Sequence, residues 1–291
     1  MGPSYALIVV YCVLIVGASL GGGWLPSLLR LTHASMQMIV SFVAGLMLGV
    51  GLFHLLPHAV VQTESIDQAV WWTMVGLLAM FFLIRTFHFH QHGPAETQED
   101  DDSHHAHDHD RDHKLSWVGV AIGLAVHTFI DGVALAASVK SEANDVEGFA
   151  LFGLATFLAI LLHKPLDAMS ITSLMVVGGW SHRWRQAINA GFAMMCPLGA
   201  ALFFVGVEQF ADAHRLVVGC ALGFSAGVFL CISLSDLLPE VQFHSHDRFK
   251  LSAALLLGVA LAYGIGFLEP EHAHGEPEAG HRSVEETHDY D

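Results

Sequence analysis

Eight stretches of roughly twenty predominantly apolar residues recur along the chain, at about 5–24, 37–61, 69–88, 116–139, 148–177, 186–206, 215–241 and 249–268. About 20 apolar residues of α-helix cross the hydrocarbon core of a bilayer. Inside that core every backbone N–H and C=O must find a partner within the protein, which leaves helices and closed barrels as the only spanning structures. The runs are continuous rather than alternating, so strands of a barrel are excluded. Composition agrees: 53% of residues are hydrophobic, 14% are charged and the mean hydropathy is +0.51. The expected fold is an all-α polytopic membrane protein of eight transmembrane helices, termed spans one to eight below.

The first span has no basic residue before it and reads as a retained helix rather than a signal peptide. Cys12, Cys196, Cys220 and Cys231 all fall inside spans, so no disulfide framework is indicated. The basic residues set the orientation. Odd-numbered loops carry Arg30, Arg85, Arg111, Lys114, Arg183, Arg185, Arg248 and Lys250, whereas the opposite side carries Lys140, Arg215 and Arg282. The positive-inside rule then places both termini outside the cytoplasm, in a cell inner or plasma membrane. A net charge of −16 gives nucleic acid nothing to bind and makes the aqueous segments attractive to cations.

Four regions follow: spans one to three over 1–87, a loop at 88–114, spans four to eight over 115–268 and an acidic extracytoplasmic tail at 269–291. The loop, "HFHQHGPAETQEDDDSHHAHDHDRDHK", contains eight histidines among carboxylates and too little apolar content to fold around. Disorder is expected. Its composition reads as metal-binding, through His104, His105, His107, His109 and His113 above all.

An internal repeat organises the rest. "FVAGLMLGVGLFHLLPHA" at 42–59 aligns with "FSAGVFLCISLSDLLPEV" at 224–241 at a constant offset of 182, with eight of eighteen positions identical. These are spans two and seven, which cross in opposite directions. An inverted repeat of spans one to three and six to eight is the arrangement of many secondary transporters, whose substrate sites lie between the repeats. The repeat aligns His54 and His58 with Asp236 and Glu240. Each pair is spaced i,i+4, at opposite membrane faces, and offers either an entry and exit relay or ordinary interfacial polarity after a proline.

Span four contains His127 and Asp131 in "HTFIDG", and span five contains His163 and Asp167 in "HKPLDA". Both pairs are i,i+4, so each projects from one helix face. Facing one another they supply two imidazoles and two carboxylates, a donor set that suits zinc and admits other divalent transition metals. Without a cation, two buried carboxylates would need another partner. Pro165 removes a hydrogen bond in span five and is expected to kink it at the site.

These motifs, with "HLLP" in span two, "PLGA" in span six and the His-rich loop, resemble the ZIP (Zrt/Irt-like) divalent-metal transporters along nearly the whole chain. "HTFIDG" is similar to the HNxxDG signature of that family. The HK form of "HKPLDA" resembles its lysine-bearing branch. The resemblance implies a metal sub-site of Met47, His127, Asp131, His163 and Asp167. Met47 is a soft, weak ligand or a packing residue. A second sub-site would fall at Thr128, Lys164 and Cys196. There the chain departs from the family, since a charged lysine has no lone pair to offer a metal and Cys196 reads as a buried thiol. The resemblance implies a homodimer in the lipid bilayer, with alternating access by a block containing spans four and five. The cargo would be Zn2+, with Cd2+, Fe2+ and Mn2+ admitted, and there would be no catalytic cofactor and no enzyme activity. Two rival classes are a zinc-dependent intramembrane hydrolase and a metal sensor or receptor.

Overall fold

The structure is a computed structural model that describes residues 3–24, 33–88, 109–143, 151–210, 213–243 and 248–268. Among the described residues every regular element is helical. Span one is Pro3–Gly22. Span two runs His33–Val50, through a π-helical turn at Gly51–Leu55, into Leu56–Thr63. Span three is Ile66–His88, span four His109–Ala143 and span five Leu154–Val177. Span six is broken at Met194 into His182–Ala193 and Met195–Glu208. Spans seven and eight are His214–Phe243 and Arg248–Ile265, the last ending in a 3₁₀ turn at Gly266–Leu268. Seven of these are long and apolar enough to cross a bilayer, and the eighth is a shorter apolar helix, Phe249–Ile265.

Two local features differ from the sequence reading. Of the loop expected at 88–114, residues 89–108 lie outside the described residues, but His88 closes span three and His109–Lys114 already open span four. Span five continues as one helix through Pro165. A departure from regular α-helix lies at Pro57 in span two. The missing N–H of Pro57 leaves the Phe53 carbonyl without the usual donor, and the chain widens into the π turn just before it.

The repeat is visible in the packing. The His33–Val50 part of span two packs most extensively on span eight, and span three on span seven. Glycines let these backbones touch, as small residues do between helices in lipid. A side chain at Gly45 would collide with the Leu255 backbone, and one at Gly258 with the Phe42 carbonyl. A side chain at Gly227 would collide with the Thr73 carbonyl, and one at Gly76 with that of Phe224. Each residue of the first two contacts is offset by 182 from its counterpart in the second two. The sequence offset found in spans two and seven therefore extends to spans three and eight.

The remaining helices pair in the same manner. Span four packs on span six through Gly132 against the Cys196 carbonyl and Gly199 against the Phe129 carbonyl, and span one packs on span five through Gly22 against Pro165. The eight helices thus form two sets, spans two, three, seven and eight, and spans one, four, five and six. Spans two and seven meet spans four and five between the sets. That boundary is lined by fully buried apolar residues, among them Leu46, Val50, Leu135, Ile160 and Phe229. Trp71, Phe82, Val205 and Leu256 are exposed on the outside, as lipid-facing residues are.

The symmetric glycine contacts predict matched effects. Gly76→Leu and Gly258→Leu should each destabilise the protein by about 1–3 kcal/mol or more through overpacking. Gly264→Leu, which meets open space, should not. Thermal unfolding of purified protein in detergent checks this, and equal midpoints for all three variants would refute the packing role.

Candidate metal centre

Spans four and five place their i,i+4 pairs face to face. The imidazole of His163 is fixed from behind, because its Nδ1 lies 2.8 Å from the Ala159 carbonyl one turn earlier. A proton on Nδ1 donated to that carbonyl leaves Nε2 as a lone-pair donor, the arrangement seen when histidine ligates a metal. His163 Nε2 lies 3.2 Å from Asp131 Oδ2 and 3.8 Å from Asp167 Oδ2. His127 Nε2 lies 3.5 Å from Asp131 Oδ2 and 3.7 Å from Asp167 Oδ2. All four donor atoms fall within 4.8 Å of one another, the only such His/Cys/Asp/Glu group among the described residues.

Those spacings have a chemical meaning. Zinc–nitrogen and zinc–oxygen bonds of about 2.0–2.2 Å in a tetrahedron put neighbouring ligand atoms about 3.3–3.6 Å apart. The four His–carboxylate distances need only a few tenths of an ångström of adjustment. Neither ring nitrogen of His127 has a hydrogen-bond partner, and neither has Asp131 Oδ1, although all three atoms are buried. Buried polar atoms are normally satisfied, and exceptions need a reason. A cation between the rings supplies one for His127 Nε2.

Lys164 completes the cluster and is itself fully buried. Its Nζ lies 2.6 Å from Asp131 Oδ2, 2.9 Å from Thr128 Oγ1 and 3.3 Å from Asp167 Oδ2, and stands 5.5 Å from the centre of the Phe192 ring. The ammonium thus donates to both carboxylates and to the hydroxyl of Thr128. It meets the same two oxygens, Asp131 Oδ2 and Asp167 Oδ2, that the Nε2 atoms of the two histidines approach. With both histidines neutral, the formal charge of the cluster is −1.

A cavity of about 420 Å³ reaches the centre, lined in part by Met47, His127, His163, Asp167 and Ser170. Its other walls, including Val40, Ile84, Leu124 and Ser235, all belong to the halves of their spans nearer the odd-numbered loops. On the other side hydrogen bonds join the described helices. Ser138 and Thr156 hydrogen-bond at 2.8 Å, Gln62 Nε2 donates to Ser141 Oγ at 3.0 Å, and the Gly153 N–H donates to Glu142 Oε2 at 2.8 Å.

The other residues singled out in the sequence divide. Met47 is buried and lines the cavity beside the histidines. Cys196 is buried with a free thiol, and its carbonyl packs on Gly132, next to Asp131. His54 and His58 are both buried but face different neighbours. His54 Nε2 lies 2.7 Å from the Ala262 carbonyl in span eight, and His58 Nε2 lies 3.9 Å from Glu142 Oε1 in span four. The π turn that begins at Gly51 and includes His54 changes the register that i,i+4 spacing assumes. Asp236 and Glu240 fall within the helix of span seven, and His109 and His113 within that of span four, with side chains outside the described residues. His104, His105 and His107 lie outside them altogether.

Glu142 is the acid that motif reading passed over. It follows Asp131 by eleven residues, three turns along one helix face, and that periodicity was the available signal.

Comparison with known proteins gives a family. Residues 5–119 and 88–266 match, in two overlapping stretches, a family model described as ZIP zinc transporter. The chain is 32% identical over 136 residues to zinc transporter ZIP9 of Micropogonias undulatus, covering 46% of this chain and 42% of that one. It is 32% identical over 138 residues to zinc transporter ZIP9-B of Xenopus laevis, covering 46% and 44%. It is 30% identical over 154 residues to zinc transporter ZIP1 of Homo sapiens, covering 52% and 44%. The matched stretches span less than half the length of these curated relatives.

Proposed function

Because the chain belongs to the ZIP zinc transporter family, we propose that this multi-pass membrane protein moves divalent transition-metal ions, zinc foremost, toward the cytoplasm. The observation that supports this most directly is the convergence of four donor atoms from spans four and five at the end of a cavity lined from the half of the helices nearer the odd-numbered loops. A site reached from one side, with hydrogen bonds closing the other, is what one state of an alternating-access carrier requires. The positive-inside rule assigns the cavity face to the cytoplasm. In this reading both termini are extracytoplasmic in an inner or plasma membrane, and two protomers pair in the bilayer.

The metal is cargo and not a catalytic cofactor. His127, Asp131, His163 and Asp167 bind it, with Met47 beside them in the cavity wall. The HK form resembles the lysine-bearing branch, and in this reading Lys164 supplies positive charge in place of a second ion. Cadmium, iron and manganese share enough of zinc's ligand preferences to compete. The test is metal uptake into proteoliposomes of known protein orientation, scanned over zinc, cadmium, iron and manganese. Zinc accumulation in the predicted direction is expected, and the absence of uptake for all four ions would overturn the proposal.

The histidines of the 89–108 segment belong to the same reading. Imidazoles that titrate near neutral pH hold metals loosely. Deleting 89–108, which leaves span three and span four whole, should preserve zinc uptake and shift its apparent affinity. Complete loss of uptake in correctly inserted protein would instead favour a sensing role for the loop.

A further inference from the structure

Eleven residues from Asp131, about 16 Å along span four, the Glu142 carboxylate is buried beside His58 of span two. One of its oxygens, Oε2, accepts the Gly153 N–H at the start of span five. That bond orients the carboxylate so that Oε1 faces His58 Nε2 at 3.9 Å. The separation is too long for a hydrogen bond and near the spacing of two ligand atoms on one ion. One turn from His58 on the same helix, Gln62 is also buried. Its Nε2 donates to Ser141, the residue before Glu142, while its Oε1 is buried with no hydrogen-bond partner. The Glu142 carboxylate thus faces the His58 imidazole, and the Gln62 amide lies one turn from that imidazole on span two.

The placement is not isolated from the central site. Asp131, Ser138 and Glu142 share one face of span four, at spacings of seven and eleven residues. Thr156, the partner of Ser138, precedes His163 by seven residues on span five. Polar side chains therefore recur every turn or two from the closed face of the protein to the metal centre. Span two belongs to one set of four helices and spans four and five to the other, so this ladder follows the boundary between the sets.

We propose that His58 and Glu142, with the Gln62 amide oxygen, form a second metal-binding position on the closed side, where a divalent transition metal is held before it passes the Ser138–Thr156 rung. The proposal rests on the transport reading for its direction of travel, but the binding it asserts is independent of transport. Glu142 binds the ion through Oε1 while Oε2 keeps the helix start of span five in place. When the two helix sets shift, the His58–Glu142 spacing changes and the ion is released toward the centre.

Two measurements test it, both on protein lacking 89–108. In the first, the central site is silenced by His127→Ala with His163→Ala, which leaves Lys164 paired with both carboxylates. Cadmium stoichiometry is then measured with and without Glu142→Gln. Glutamine preserves an acceptor for the Gly153 N–H and removes the charge. A drop of one bound ion is expected, and an unchanged count overturns the site. In the second, zinc uptake by Glu142→Gln and by His58→Ala is measured with the central site intact. The apparent KM should rise on the order of tenfold with kcat largely retained, as for loss of a supporting metal contact. Unchanged KM in both variants, or a lowered kcat at unchanged KM, would make the pair a structural clasp and end the proposal. Failure of the unsubstituted protein to transport zinc would instead count against the proposed function and leave the binding measurement to decide this site.

Discussion

Zinc uptake is expected to fall to the leak of protein-free liposomes when His127 or Asp167 is replaced by alanine. Each change deletes one of four donor atoms that lie within 4.8 Å of one another, and nothing else among the described residues offers a comparable group. The two changes differ from Asp131→Ala in what they leave behind. His127 has no hydrogen-bond partner for either ring nitrogen, so its loss strands no charge. Asp167 is the most exposed member of the cluster and the more distant of the two carboxylate partners of Lys164. Asp131, by contrast, is fully buried and lies 2.6 Å from the ammonium. Removing it leaves an uncompensated buried cation, a loss typically of about 3–5 kcal/mol. Asp131→Ala should therefore lose both uptake and stability, while His127→Ala should lose uptake alone. Paired measurements of uptake and of thermal unfolding separate these outcomes. Near-wild-type uptake by His127→Ala and Asp167→Ala would remove the metal centre from the argument.

The central site was legible because helical spacing brings i and i+4 together within a single stretch of sequence. The pairs His127–Asp131 and His163–Asp167 declared themselves before any tertiary contact was known. Lys164 was legible as an anomaly, a charge inside an apolar run, though nothing in the sequence told which carboxylate it would approach more closely. The inverted repeat was visible in spans two and seven, where eight of eighteen positions coincide. It was invisible in spans three and eight, because there the common element is a single glycine, Gly76 and Gly258, placed by the backbone of its neighbour. Glu142 was missed for a related reason. Its importance lies in what spans two and five bring to it, and cross-helix partners leave no spacing signature. The relation between His54 and His58 was misjudged because their i,i+4 spacing assumes an unbroken α-helix, and the π turn that includes His54 breaks the register.

The lysine carries the second large expectation. Lys164 donates to Asp131 and Asp167, so it competes with a metal for the same two carboxylate oxygens. Zinc with two carboxylates is formally neutral, and the ammonium raises the occupied cluster to +1. In a site largely shielded from water, a like charge so near the ion weakens its retention by an amount on the order of a few kcal/mol. A carrier gains from this, since cargo held too tightly leaves too slowly. Lys164→Met should bind zinc at least about tenfold more tightly, turn over more slowly, and be less stable without metal, because two carboxylates lose their shared donor. Added zinc should then raise its unfolding temperature more than it raises that of the unsubstituted protein, as linkage between binding and folding requires. Lys164→Glu goes further by placing a third carboxylate among donors that already include Asp131 and Asp167. The count of ions bound within the spans, measured with 89–108 deleted and Glu142→Gln in place so that the central site alone is counted, should rise from one to two. An unchanged zinc-induced thermal shift in Lys164→Met, together with an unchanged ion count in Lys164→Glu, would show that the ammonium neutralises the aspartates for folding alone and has no part in how the metal is held or released.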